Sequence, residues 1–197
     1  MKNKIVDSYL AGILIGIACG TYCSVSNKYI GAFLFALGLC AILRLGFILY
    51  TGRVHLLFIQ NNIGGPLQYF IVFLFNALGV ATISALCNVT GINPASVAEY
   101  KLSLSISHVF CASIICGILM TLAVVLYNKD TNPVLTIMCI ATFILVGGEH
   151  CVANVFYIFN DLICLNPIAY VFIVVNVFGN TIGSIIFYYL LSKKEEL

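Results

Sequence analysis

Apolar runs long enough to cross a bilayer recur six times along this chain, joined by short polar connections: Ser8–Ser26, Tyr29–Tyr50, Leu67–Leu86, Leu104–Tyr127, Val134–Phe159 and Ile168–Leu191. A spanning helix needs about 20 apolar residues. In hydrocarbon, only elements that satisfy their own backbone hydrogen bonds are tolerated. Composition removes the soluble alternative. Of 197 residues, 62% are hydrophobic and 8% charged, at a mean hydropathy of +1.10, whereas a soluble domain carries about 25% charged residues. The expectation is an all-α integral membrane protein, one six-helix transmembrane domain over residues 1–197. The first run lacks a small-residue cleavage motif and is followed by a second span, so it is not read as a signal peptide.

A net charge of +2, with no basic cluster, excludes nucleic acid as a partner and leaves membrane lipid. The nine cysteines, Cys19, Cys23, Cys40, Cys87, Cys111, Cys116, Cys139, Cys151 and Cys164, lie mostly in apolar runs. There Cys acts as a small packable hydrophobe. Their spacing matches no zinc motif, and no metal or cofactor is expected. Orientation follows the excess of Lys and Arg on the cytoplasmic side. Lys2, Lys4, Arg53, Lys129, Lys193 and Lys194 fall on the side of the N-terminus, against Lys28 and Lys101 on the other. Both termini are therefore expected in the cytoplasm of a bacterial plasma membrane, with the Asn88–Lys101 loop outside. Few residues precede the first span or follow the last, too few for a helical plug over the inner mouth.

Two spans are interrupted. In span two, Gly46 and Gly52 bracket Thr51. In span five, Gly147-Gly148 precede Glu149, His150 and Asn154 in the stretch "GGEHCVAN". Gly weakens a helix, and broken backbone at membrane depth is tolerated only beside protein or water. Breaks in corresponding spans of two halves mark a site near the midplane. Spans three and six also share Asn three residues before Gly, in "FNALGVA" and "FGNTIGSI". An inverted 3+3 repeat follows. Adjacent helical residues point about 100° apart, so Glu149 and His150 cannot both face one narrow pore. His150 is assigned to the pore and Glu149 to structure, accepting hydrogen bonds from backbone freed at the break. Asn154 either lines the pore or caps the break.

"LYTG" after span two, "GEHCVANVF" in span five and "FGNTIGSI" in span six resemble the formate/nitrite transporter family. The resemblance runs from span one to span six. It implies an aquaporin-like homopentamer with a pore in each protomer, carrying small monovalent anions of weak acids: formate, nitrite, hydrosulfide or acetate. By that resemblance His150 is the central pore histidine, Thr51 faces it, and Asn180 faces the pore. Phe35 and Phe143 form an outer constriction. Leu49, Tyr50 and Val124 lie near an inner one, and Leu39 is a further constriction residue. The chain departs from the family pattern at Ile48, where an acid is usual, and at Thr121, where an Asn is common. Lys101 lies about one turn before the position of the family's outer lysine. No nucleophile with its base is visible, so no enzyme is expected. A channel for a neutral solute, or a membrane redox or metal protein using Cys and His, remains the alternative.

Overall fold

The computed structural model describes residues 2–58, 64–129, 133–159 and 165–195; Cys164 lies outside them. Nine α-helices lie along the described chain: α1 (Lys2–Ser24), α2 (Lys28–Leu45), α3 (Tyr50–Arg53), α4 (Pro66–Val89), α5 (Ala95–Ser103), α6 (Ile106–Lys129), α7 (Pro133–Leu145), α8 (Cys151–Ile158) and α9 (Pro167–Glu195). A 3-10 turn, Val54–Leu56, continues α3. Five helices, α1, α2, α4, α6 and α9, are long and apolar enough to cross a membrane. The first run is longer than expected, because the helix begins at Lys2 rather than Ser8.

Local sequence sets the helix starts. The prolines Pro66, Pro133 and Pro167 each open a helix, where the missing N–H costs nothing. Asn27 caps α2, its side chain accepting from the N–H groups of Tyr29 and Ile30 at 2.9 and 3.2 Å.

The breaks are made by one device used twice. Gly46 adopts φ +74° and Gly147 φ +76°, a left-handed conformation that Gly enters without steric penalty. The Gly46 and Phe47 N–H groups turn back to the carbonyls of Leu43 and Ile42; those of Gly147 and Gly148 turn back to Ile144 and Phe143. This closure satisfies the last carbonyls of α2 and α7 in mid-span. Gly52, expected to flank the break in span two, lies inside α3 instead.

Helix α1 packs along α4, and α6 along α9. Glycine lets these backbones approach. A Cβ on Gly12 would run into the Asn76 carbonyl, and one on Gly117 into the Asn180 carbonyl. Small residues at such crossings are the usual basis of close packing in membranes. The outward faces are apolar stripes, Leu67, Phe70, Leu74 and Leu78 on α4, and Val171, Val174, Phe178, Ile182 and Ile186 on α9. Exposed apolar surface on this scale belongs against lipid or another protein.

Candidate functional site

Each break is held by an asparagine from the neighbouring long helix. Asn76 on α4 accepts from the Tyr50 N–H (2.8 Å) and donates to the carbonyls of Ser8 (2.7 Å) and Ile48 (2.9 Å). Asn180 on α9 accepts from the Cys151 N–H (2.8 Å) and donates to the carbonyls of Ser113 and Glu149 (both 2.8 Å). The two halves thus repeat the same three bonds. Asn180 was expected to face the pore. Its amide is instead committed on both ends to backbone, because the break leaves N–H and C=O groups that buried protein must satisfy.

Thr51 and His150 meet where the two broken spans restart. The His150 Nε2 and the Thr51 hydroxyl are 2.8 Å apart, and both residues are buried. His150 also caps α8, its Nδ1 accepting from the Ala153 N–H at 3.0 Å. With Nδ1 an acceptor, the neutral ring carries its proton on Nε2 and donates toward Thr51. The N–H groups at the half-helix starts are largely taken, those of Tyr50, Cys151 and Ala153 by Asn76, Asn180 and His150.

Glu149 behaves differently from the expectation. Its Oε2 accepts from the Lys101 ammonium at 2.6 Å and from the Asn154 amide at 2.7 Å, not from backbone. Lys101 sits on α5, not on α6. The chain turns at Leu104, where extended backbone (ψ 145°) ends α5, and brings the lysine back over the bundle. Its ammonium also lies 5.4 Å from the centroid of the Tyr157 ring. Asn154 therefore both holds Glu149 and lines the adjoining cavity.

Two cavities flank the Thr51–His150 contact. One, of about 450 Å³, opens beside α5 and is lined by Lys101, Glu149, His150, Asn154, Phe35 and Phe143 among others. The other, of about 80 Å³, lies toward the ends of α3 and α6 and is lined by Leu39, Leu49, Val124, Gly52, Arg53 and His55 among others. Phe35 and Leu39 stand one turn apart on α2 yet line different cavities. Phe143 lines the larger cavity, edge-on to Phe35 at 6.0 Å and stacked on His150 at 5.8 Å. Tyr50 departs from its expected place: its hydroxyl bonds Thr181 at 2.8 Å and its ring packs on Phe73, so it faces α4 and α9.

A formate/nitrite transporter family model matches residues 1–193. The chain belongs to that family. The transporter is 27% identical over 200 aligned positions to the formate channel FocA of Haemophilus influenzae, covering 81% of this chain and 70% of that protein. It superposes on a pentameric formate channel with formate bound at a TM-score of 0.76 and 22% identity, over 99% of this chain and 95% of that one. An FNT family ion channel gives 0.81 at 21% identity, over 98% and 90%. The membrane-transporter assignment replaces the redox and metal alternative. Of the cysteines expected to pack as small hydrophobes, Cys19, Cys116 and Cys151 are buried in the core, while Cys111 is exposed.

Two residues escaped the sequence. His55, two residues after Arg53, is buried and packs on Tyr188 with ring centroids 4.7 Å apart. Arg44, a cation within the second apolar run, is exposed in the last turn of α2, where it complements the helix dipole.

Proposed function

We propose that this transporter conducts small monovalent anions of weak acids, formate first among them, through a pathway within each protomer of a homopentamer. The single observation carrying this is the His150–Thr51 contact at 2.8 Å, set between two cavities and walled by Phe35 and Phe143. The formate-bound pentameric neighbour and the exposed apolar stripes support the substrate and the assembly. Lys101 draws the anion into the outer cavity, and Glu149 holds the ammonium there. A bare anion would pay heavily to enter the phenylalanine-walled segment, while the neutral acid would not. The acid crosses with its own proton, its carbonyl oxygen accepting hydrogen bonds from Nε2–H of His150 and the hydroxyl of Thr51. Leu39, Leu49 and Val124 form the inner constriction.

His150→Asn tests this without unmaking the break, since Asn is a good N-cap and keeps an acceptor for the Ala153 N–H. Purified variant in liposomes should assemble as a pentamer by native mass measurement but lose proton-coupled formate uptake. Unchanged rate and pH dependence would refute the role of His150, and a stable monomer or tetramer of the native chain would refute the assembly.

A further inference from the structure

We propose that the inner cavity is a second anion-binding site, in which the Arg53 guanidinium holds a small carboxylate or nitrite and the His55 ring donates to it. Arg53, His55 and Asn128 supply its polar lining, and Leu39, Leu49 and Val124 close it toward the Thr51–His150 contact. Arg53 shows no ion pair among the described residues, whereas Lys101 is paired with Glu149. The two cations of the pathway are therefore unlike: the one beside α5 is balanced by a carboxylate, and the one at the opposite mouth is not.

The neighbours of Arg53 are also short of partners. His55 is 3% exposed, and its Nδ1 has no hydrogen-bond partner; the buried Tyr69 hydroxyl has none either. Arg53 lies close enough to both to act on them electrostatically. Packing against Tyr188 holds the His55 ring in place. Buried polar groups left unpaired are rare, and each one calls for an explanation. A carboxylate or nitrite answers both deficits, because it accepts hydrogen bonds and balances the cation. Guanidinium, always charged, presents a fork that matches two oxygens at once. A volume of about 80 Å³ is roughly that of two to three waters, which admits an anion of three or four heavy atoms and rejects bulky ones.

This site rests on the transport reading for its ligand class but not for its measurement. Phenylglyoxal modification of Arg53 in the purified native channel, followed by peptide mass, reads occupancy directly. Sodium formate should slow modification of Arg53 and leave Arg44 unaffected, while formamide, neutral and of similar shape, should protect neither. Equal rates in formate and formamide, or equal slowing at both arginines, would overturn the site and leave Arg53 as a cation reaching for headgroups. In oriented proteoliposomes, Arg53→Gln should raise the half-saturating formate concentration from the Arg53 side by roughly tenfold, as loss of a charge-assisted contact requires. Arg53→Lys, keeping charge without the fork, should fall between. An unchanged half-saturation in both variants also refutes the site. Formate flux through native channel without protection of Arg53 sinks this inference alone; protection without flux sinks the transport reading alone.

Discussion

Replacing Asn180 by Ala separates a backbone clamp from a pore-lining side chain. The substitution removes three buried hydrogen bonds at once, from the Cys151 N–H and to the Ser113 and Glu149 carbonyls. A buried group left unsatisfied costs about 1–3 kcal/mol, while interhelical bonds within membranes average nearer ~0.6 kcal/mol. Taking both scales, the loss comes to about 2–5 kcal/mol. At roughly 2–4 °C per kcal/mol for a chain of this size, the apparent melting temperature in detergent should fall by about 4–20 °C. Asn180→Asp sharpens the test. It keeps an acceptor for the Cys151 N–H but loses both donated bonds, so it should also destabilise. Asn76→Ala, which removes the equivalent bonds at the other break, should match Asn180→Ala within about 1 kcal/mol. The assay is intrinsic-fluorescence melting of the purified protein, with liposome flux in parallel. An Asn180→Ala protein that melts like the native one yet has lost flux would refute the clamp and return Asn180 to the pathway.

Other outcomes follow from the same geometry. Lys101→Met leaves the Glu149 carboxylate buried and unpaired, which should cost about 3–5 kcal/mol; the double variant Lys101→Met, Glu149→Gln should recover much of that in the same melting assay. Gly52→Ala adds a methyl in ordinary contact with Val124 (3.7 Å) and Leu49 (3.8 Å), so it should fold normally and reduce flux by narrowing the inner cavity; unimpaired flux would place the route elsewhere. Gly46→Val puts a branched side chain at φ +74° and should lower the yield of folded protein, although nothing lies within 4 Å of the added Cβ; normal yield would show that the break tolerates strain. Uptake of a weak acid by native protein should rise smoothly with external acidification, by about tenfold per pH unit above the acid's own pKa, and a pH-independent rate would refute passage of the neutral form.

Hydropathy and glycine placement are local properties, so the sequence by itself determined the membrane solvent, the helix starts at proline and the two mid-span breaks. The family motifs went further, naming His150 and Thr51 as partners, and their side chains do meet. Partnership across the bundle is another matter, because it depends on how separate helices pack. Glu149 and Lys101 are 48 positions apart, and only the turn at Leu104 brings α5 over the cavity. Lys101, expected in the outer loop before span four, lies on α5 within that connection. Asn180 and Tyr50 were misplaced for a related reason: a polar side chain near a break can serve the pore or the broken backbone, and the choice is made by which long helix packs behind it. The orphaned ring of His55 against Tyr188 could not be read from the sequence at all, because α9 returns to that end of the bundle more than a hundred residues later.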